Sequence, residues 1–135
     1  MKIRRILETA LYCDDLARTA RFYETLLDVS PMLSGDRLVA LDAGGGTVLL
    51  LFQRGNSGPL DTDGGLVPGH DGAGPVHLAF AIGRDDLPGW ERRLGELGIA
   101  IESRVTWERG GESIYFRDPE KRSVELATPG LWPTY

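Results

Sequence analysis

The chain states one structural plan twice, and this repetition constrains its fold more than any bulk property. Residues 6–53 and 75–128 carry the same order of signals. Each opens on an apolar run of strand character, Ile6-Leu7-Glu8-Thr9-Ala10-Leu11-Tyr12 and Val76-His77-Leu78-Ala79-Phe80-Ala81-Ile82. Each continues with Asp-Asp-Leu, at Asp14-Asp15-Leu16 and Asp85-Asp86-Leu87, then an amphipathic helix. Each closes on a β-rich run, Val48–Phe52 and Ser123–Ala127. Overlaying the halves sets Glu8 on His77 and Leu50 on Glu125, so three of four matched positions carry a side chain able to bind a metal.

Strand alternation places Glu8, Ala10 and Tyr12 on one face of the first strand. Asp14 or Asp15 is suited to cap the first helix, where a carboxylate accepts backbone N–H groups that lack a partner. Leu16, Ala20, Tyr23 and Leu27 then recur at helical spacing as its buried stripe. The helix should end near Asp28, because Ser30-Pro31 favours extended chain. Strands are expected at 31–34, 37–43 and 47–53. In the second half, Asp85 or Asp86 caps a helix carrying Leu87, Trp90, Leu94 and Leu97, with Gly98 at its end. Strands are expected near 99–106, 112–117 and 122–128. The expected fold is α+β: one domain over residues 1–135, built of two βαβββ repeats. They form a curved, mainly antiparallel sheet around a cavity, with the helices outside.

Residues 54–75 break the pattern. They are rich in Gly, Pro and Asp without periodicity, and read as a linker long enough to serve as a lid or contact loop. Residues 129–135 form a tail whose Trp132 and Tyr135 suggest docking against the body or a second subunit.

The net charge of −5 argues against nucleic acid and anionic membranes as partners. A single cysteine, Cys13, excludes an internal disulfide framework and a cysteine zinc cluster, and fits a reducing cytoplasm. No signal peptide and no apolar run of transmembrane length is recognisable.

Glu8, His77 and Glu125 are isolated polar residues within apolar strands, each sharing a face with alanine. A carboxylate facing inward is costly unless paired or coordinated. Two carboxylates and an imidazole with small neighbours suit an open, catalytic metal centre. The plainer alternatives are an outward-facing Glu8, a hydrogen-bonded core His77, and a Glu125 paired with Arg104, Arg117 or Arg122.

Several stretches resemble the vicinal oxygen chelate superfamily, which holds glyoxalase I, extradiol dioxygenases, fosfomycin-resistance thiol transferases and bleomycin-resistance proteins. They are Asp14-Asp15-Leu16 through Arg21-Phe22-Tyr23 to Leu26-Leu27, His77-Leu78-Ala79-Phe80, Tyr115-Phe116-Arg117-Asp118-Pro119 and Val124-Glu125-Leu126. The resemblance implies that His77 and Glu125 are second-half metal ligands, with Glu8 where a histidine is common. Leu50 stands where glyoxalase I has a fourth ligand and cannot coordinate, which speaks against a standard glyoxalase I. Lys121-Arg122 replaces a Gly-Asn-like pair, read as a turn variant of little functional content. A homodimer is implied as well.

The expected function is a cytoplasmic enzyme holding Mn²⁺, Fe²⁺, Zn²⁺ or Mg²⁺ on Glu8, His77 and Glu125. It would act on a small oxygen-chelating substrate by lyase or isomerase, thiol-transfer or dioxygenase chemistry. Glu125 and His70 are the catalytic candidates, and Tyr12, Phe52, Trp107 and Tyr115 the substrate-binding ones, with ordinary core packing as the alternative for the aromatics. Arg104 and Arg117 could clamp an anion or be solvated charge. The alternatives are a metal-free small-molecule binder of the bleomycin-resistance type and a regulatory module without a ligand.

Overall fold

The computed structural model describes all residues, Met1–Tyr135. The chain divides into two compact units, Met1–Gly74 and Pro75–Tyr135, so the boundary falls at the repeat junction and the linker belongs to the first unit. The first unit contains β1 (Glu8–Cys13), α1 (Leu16–Leu27), β2 (Leu33–Ser34), β3 (Leu38–Asp42) and β4 (Val48–Gln53), followed by a hairpin of β5 (Leu60–Thr62) and β6 (Gly65–Val67). The second contains β7 (His77–Ala81), a 3₁₀ turn (Arg84–Asp86), α2 (Leu87–Glu96), β8 (Ser103–Thr106), β9 (Glu112–Arg117) and β10 (Ser123–Ala127). The α+β class and the two βαβββ repeats are as expected. No helix is long and apolar enough to cross a membrane.

The two four-stranded sheets have matching orders, β1-β4-β3-β2 and β7-β10-β9-β8. In each, the first and last strands of the repeat pair in parallel and the remaining neighbours are antiparallel. The registers also match. Glu8 faces Val48 and Ala10 faces Leu50, while His77 faces Ser123 and Ala79 faces Glu125. This is the correspondence of Glu8 with His77 and of Leu50 with Glu125 found by overlaying the sequences.

Helix α1 starts where Asp15, not Asp14, accepts a 3.0 Å hydrogen bond from the Arg18 amide. It ends on Asp28 in the left-handed conformation. Leu16, Thr19, Ala20, Tyr23 and Leu26 form its buried stripe, so Leu26 replaces the expected Leu27. They cover one face of the first sheet, where Leu11, Cys13, Val39, Leu41, Leu49 and Leu51 are buried. In the second unit Leu94, Ile114, Phe116, Val124 and Leu126 form the core.

Three expectations are corrected. Asp86 does not cap α2 through its side chain; a 3₁₀ turn leads into the helix, and Pro88 sits in its first turn. The expected strand 99–106 shortens to Ser103–Thr106, preceded by one ladder-like bond of 2.7 Å from the Glu102 amide to the Tyr115 carbonyl. The linker contains a hairpin in which Thr62 faces Gly65 across Asp63-Gly64. Asp-Gly is a strong hairpin signal, but strands of three residues are too short to show alternation.

The turn at Asp118–Arg122 also carries more weight than its sequence suggests. Lys121 adopts positive φ, which explains why a Gly-Asn-like pair suits this turn. Arg122 and Asp118 are both buried and bond at 2.8 Å, with Glu120 as a second partner. Asp118 Oδ1 also accepts the Glu120 and Arg122 amides, both at 2.9 Å. Removing one partner of such a pair strands a buried charge. Asp118→Ala should therefore lower unfolding stability by about 3 kcal/mol or more, measured by chemical denaturation.

Candidate functional site

The open face of the second sheet is set by alternation. His77, Ala79 and Ala81 of β7 lie beside Ser123, Glu125 and Ala127 of β10, and these beside Arg117, Tyr115 and Ser113 of β9. The small side chains leave the middle of this face low, and Ala79 and Ala81 are exposed.

Here His77 and Glu125 meet. His77 Nε2 lies 3.1 Å from Glu125 Oε2, with the imidazole half-exposed and the carboxylate buried. The other ring nitrogen, Nδ1, lies 3.1 Å from the Ser123 carbonyl oxygen. A carbonyl oxygen only accepts, so Nδ1 carries the hydrogen. A neutral imidazole has one N–H, and its Nε2 lone pair then faces a carboxylate oxygen. Two acceptors at this distance repel unless a proton or a metal cation lies between them. In octahedral coordination, bonds of about 2.1 Å meeting near 90° set their donor atoms about 3.0 Å apart. The observed spacing fits that arrangement. Its supports fit too: a backbone carbonyl fixes the imidazole tautomer, and Tyr115 donates to Glu125 Oε1 at 2.9 Å.

Glu125 is therefore not paired with an arginine. Arg122 is engaged by Asp118 and Glu120, Arg104 by Glu91, and Arg117 by Glu102. The hydrogen bond from Arg117 is the main cause holding the Glu102 carboxyl below its usual range, although both side chains are solvent-accessible. Arg104 and Arg117 are thus paired surface charges. Burial, then the bond to Glu125, pushes the Tyr115 hydroxyl above the ordinary tyrosine range.

Trp107 follows β8 and donates from its indole nitrogen to Ser113 Oγ at 2.9 Å, toward the same face as Tyr115. The remaining sequence candidates lie in the first unit. Glu8 is exposed on β1, sharing its face with Ala10 and Tyr12. No group of three or more His, Cys, Asp or Glu side chains gathers at one point. Tyr12, Phe52 and His70 contact one another: Tyr12 Oη lies 2.8 Å from His70 Nδ1, and the His70 ring meets Phe52 edge-on with centroids 4.8 Å apart. Phe52 is only 5% exposed, so it acts as core packing and offers no wall to a ligand. Cys13 is fully buried.

Ser123 and Tyr115 as supports of the metal-ligand candidates were not identified from sequence. Tyr115 carried a signal as an aromatic already placed on the cavity face, whereas the Ser123 support is a backbone carbonyl set by strand pairing.

Comparison with known proteins identifies relatives of the chain. The profile of the Glyoxalase/Bleomycin resistance protein/Dioxygenase superfamily matches residues 5–126. The chain is 30% identical over 119 residues to the metallothiol transferase FosB of Bacillus licheniformis, covering 87% of this chain and 71% of that protein. It is 28% identical over 133 residues to FosB of Staphylococcus epidermidis, covering 97% and 86%. The crystal structure of lactoylglutathione lyase from Agrobacterium tumefaciens superposes with a TM-score of 0.87 at 32% identity, covering 98% of this chain and 99% of that one.

Tyr115→Phe removes the one side-chain donor aimed at Glu125 Oε1. It should cost about 1.5 kcal/mol of stability, as for a hydrogen bond to a charged acceptor, measured by thermal unfolding of the metal-free protein.

Proposed function

Because the chain belongs to the Glyoxalase/Bleomycin resistance protein/Dioxygenase superfamily, we propose that it is a divalent-metal-dependent enzyme acting on a small substrate with neighbouring oxygen atoms. The observation that carries this reading is the 3.1 Å approach of His77 Nε2 to Glu125 Oε2, each group held by its own support. With the imidazole neutral, this approach sets two acceptors against each other and favours a cation between them.

In this reading His77 supplies a neutral nitrogen and Glu125 a negative oxygen. Glu8 enters as a third ligand on the repeat correspondence alone, because it occupies in β1 the position of His77 in β7. Leu50, the counterpart of Glu125, contributes no donor. A set limited to three protein ligands retains positions for substrate oxygens. When bound, the metal supplies Lewis acidity that stabilises negative charge on a substrate oxygen. The protein orients the ligands through Ser123 and Tyr115, and its alanines leave space for the substrate. The FosB proteins and the lactoylglutathione lyase bear enzymatic names, which supports an enzyme over a passive binder.

Titration calorimetry with Mn²⁺ and Zn²⁺ tests this. The wild type should bind one ion per chain, and His77→Ala and Glu125→Gln should each weaken binding at least tenfold. Glu8→Gln, which removes a direct ligand in this reading, should also weaken it at least about tenfold, the least that loss of an outer-shell partner costs. A wild-type protein that binds neither ion would refute the proposal and make metal-free ligand binding the leading account. Unchanged binding in Glu8→Gln would remove only the third ligand.

A further inference from the structure

We propose that Tyr12 and His70 form a recognition point of their own, an imidazole N–H on the open face of the first repeat that takes an oxygen of a small anionic ligand. The site rests on the geometry of Tyr12 and residues 54–72 and stands independently of the metal-dependent reading.

His70 is built into this segment. Its amide donates to the Ser57 carbonyl at 2.9 Å, and the Ser57 hydroxyl donates back to the His70 carbonyl. Ser57 is buried although its neighbours are exposed. On the other side, Asp71 accepts from the amides of Gly55 and Gly72. Gly72 lies so close to Tyr12 that a Cβ would stand 2.7 Å from the ring. The hairpin extends away from this clamped base.

The ring is fixed as firmly as the backbone. It stands edge-on to Phe52 and 5.6 Å from Tyr12, centroid to centroid. A phenol hydroxyl is a better donor than an imidazole N–H, and an imidazole nitrogen is a good acceptor, so Tyr12 donates to Nδ1. The ring hydrogen of neutral His70 then resides on Nε2, across the ring from Tyr12, in an exposed side chain. The group offered is a donor, and it suits an oxygen acceptor.

A donor-bearing cation packs on the same Phe52 ring as His70. The Arg37 guanidinium lies 5.7 Å from the Phe52 ring centroid. Asp14 is paired with Arg54, while Asp71 keeps its charge and directs both oxygens at the Gly55 and Gly72 amides. The floor beside Tyr12 is Ala10, Leu50 and Ala40, in register across β1, β4 and β3. This is the face that holds His77 and Glu125 in the second repeat.

The chain has two histidines, so imidazole spectra can be assigned with His77→Ala alone. Long-range ¹H–¹⁵N spectra at alkaline pH should show His70 as the Nε2–H tautomer in the wild type and as a mixture in Tyr12→Phe. Inorganic phosphate should shift the His70 resonances saturably, with about tenfold weaker affinity in Tyr12→Phe, equivalent to about 1.4 kcal/mol. His70→Gln, which keeps a side-chain N–H, should bind phosphate more tightly than His70→Ala. An Nδ1–H tautomer, or His70 resonances unmoved by phosphate, would overturn the proposal. Zn²⁺ added to separate, phosphate-free samples near neutral pH reports through His77. If Zn²⁺ moves His77 while phosphate leaves His70 still, this inference alone fails; the reverse result refutes the metal reading alone.

Discussion

The parallel pairing of the first and last strand within each repeat is the constraint on which the rest depends. Parallel neighbours cannot be joined by a tight turn, so each pair needs a long crossover, which a helix and two further strands fill here. That requirement generates the βαβββ unit. It also fixes register, since a one-residue slip would carry every apolar side chain of α1's sheet face into solvent and bring Glu8, Ala10 and Tyr12 into the core. The functional face is thus a consequence of core packing on the opposite side. Leu49, Leu51, Val124 and Leu126 are buried, and their alternates Leu50 and Glu125 project to the other face.

Within that frame Glu125 is the position of greatest chemical tension. It is a buried carboxylate without a guanidinium partner, and its two oxygens are divided between the Tyr115 hydroxyl and His77 Nε2. A position occupied for stability alone would favour an apolar residue, as its counterpart Leu50 does in the first repeat. The difference between Leu50 and Glu125 at equivalent register marks where the duplicated plan departs from structure toward chemistry.

Much of this was legible in the sequence. Period-two alternation sufficed to set His77 beside Ala79 and Ala81 and to put Glu125 on the same face as Ala127. The Asp-Asp-Leu signal located both helix starts, though it could not tell a side-chain cap at Asp15 from a 3₁₀ entry at Asp86. Less accessible were features created by tertiary approach. The anchoring of His70 to Tyr12 joins residues 58 positions apart. The role of Arg122 depends on a turn that buries its guanidinium. The Ser123 carbonyl that sets the His77 tautomer is a backbone group, invisible to any reading of side-chain types.

The central claim is that His77 and Glu125 face each other because they share a cation. Anomalous diffraction from crystals grown with Mn²⁺ tests it most directly. The account predicts one strong peak per chain within bonding distance of both His77 Nε2 and Glu125 Oε2, with Nδ1 still held by the Ser123 carbonyl. A structure at the same Mn²⁺ concentration with no peak at the pair, and His77 hydrogen-bonded directly to Glu125, would contradict it.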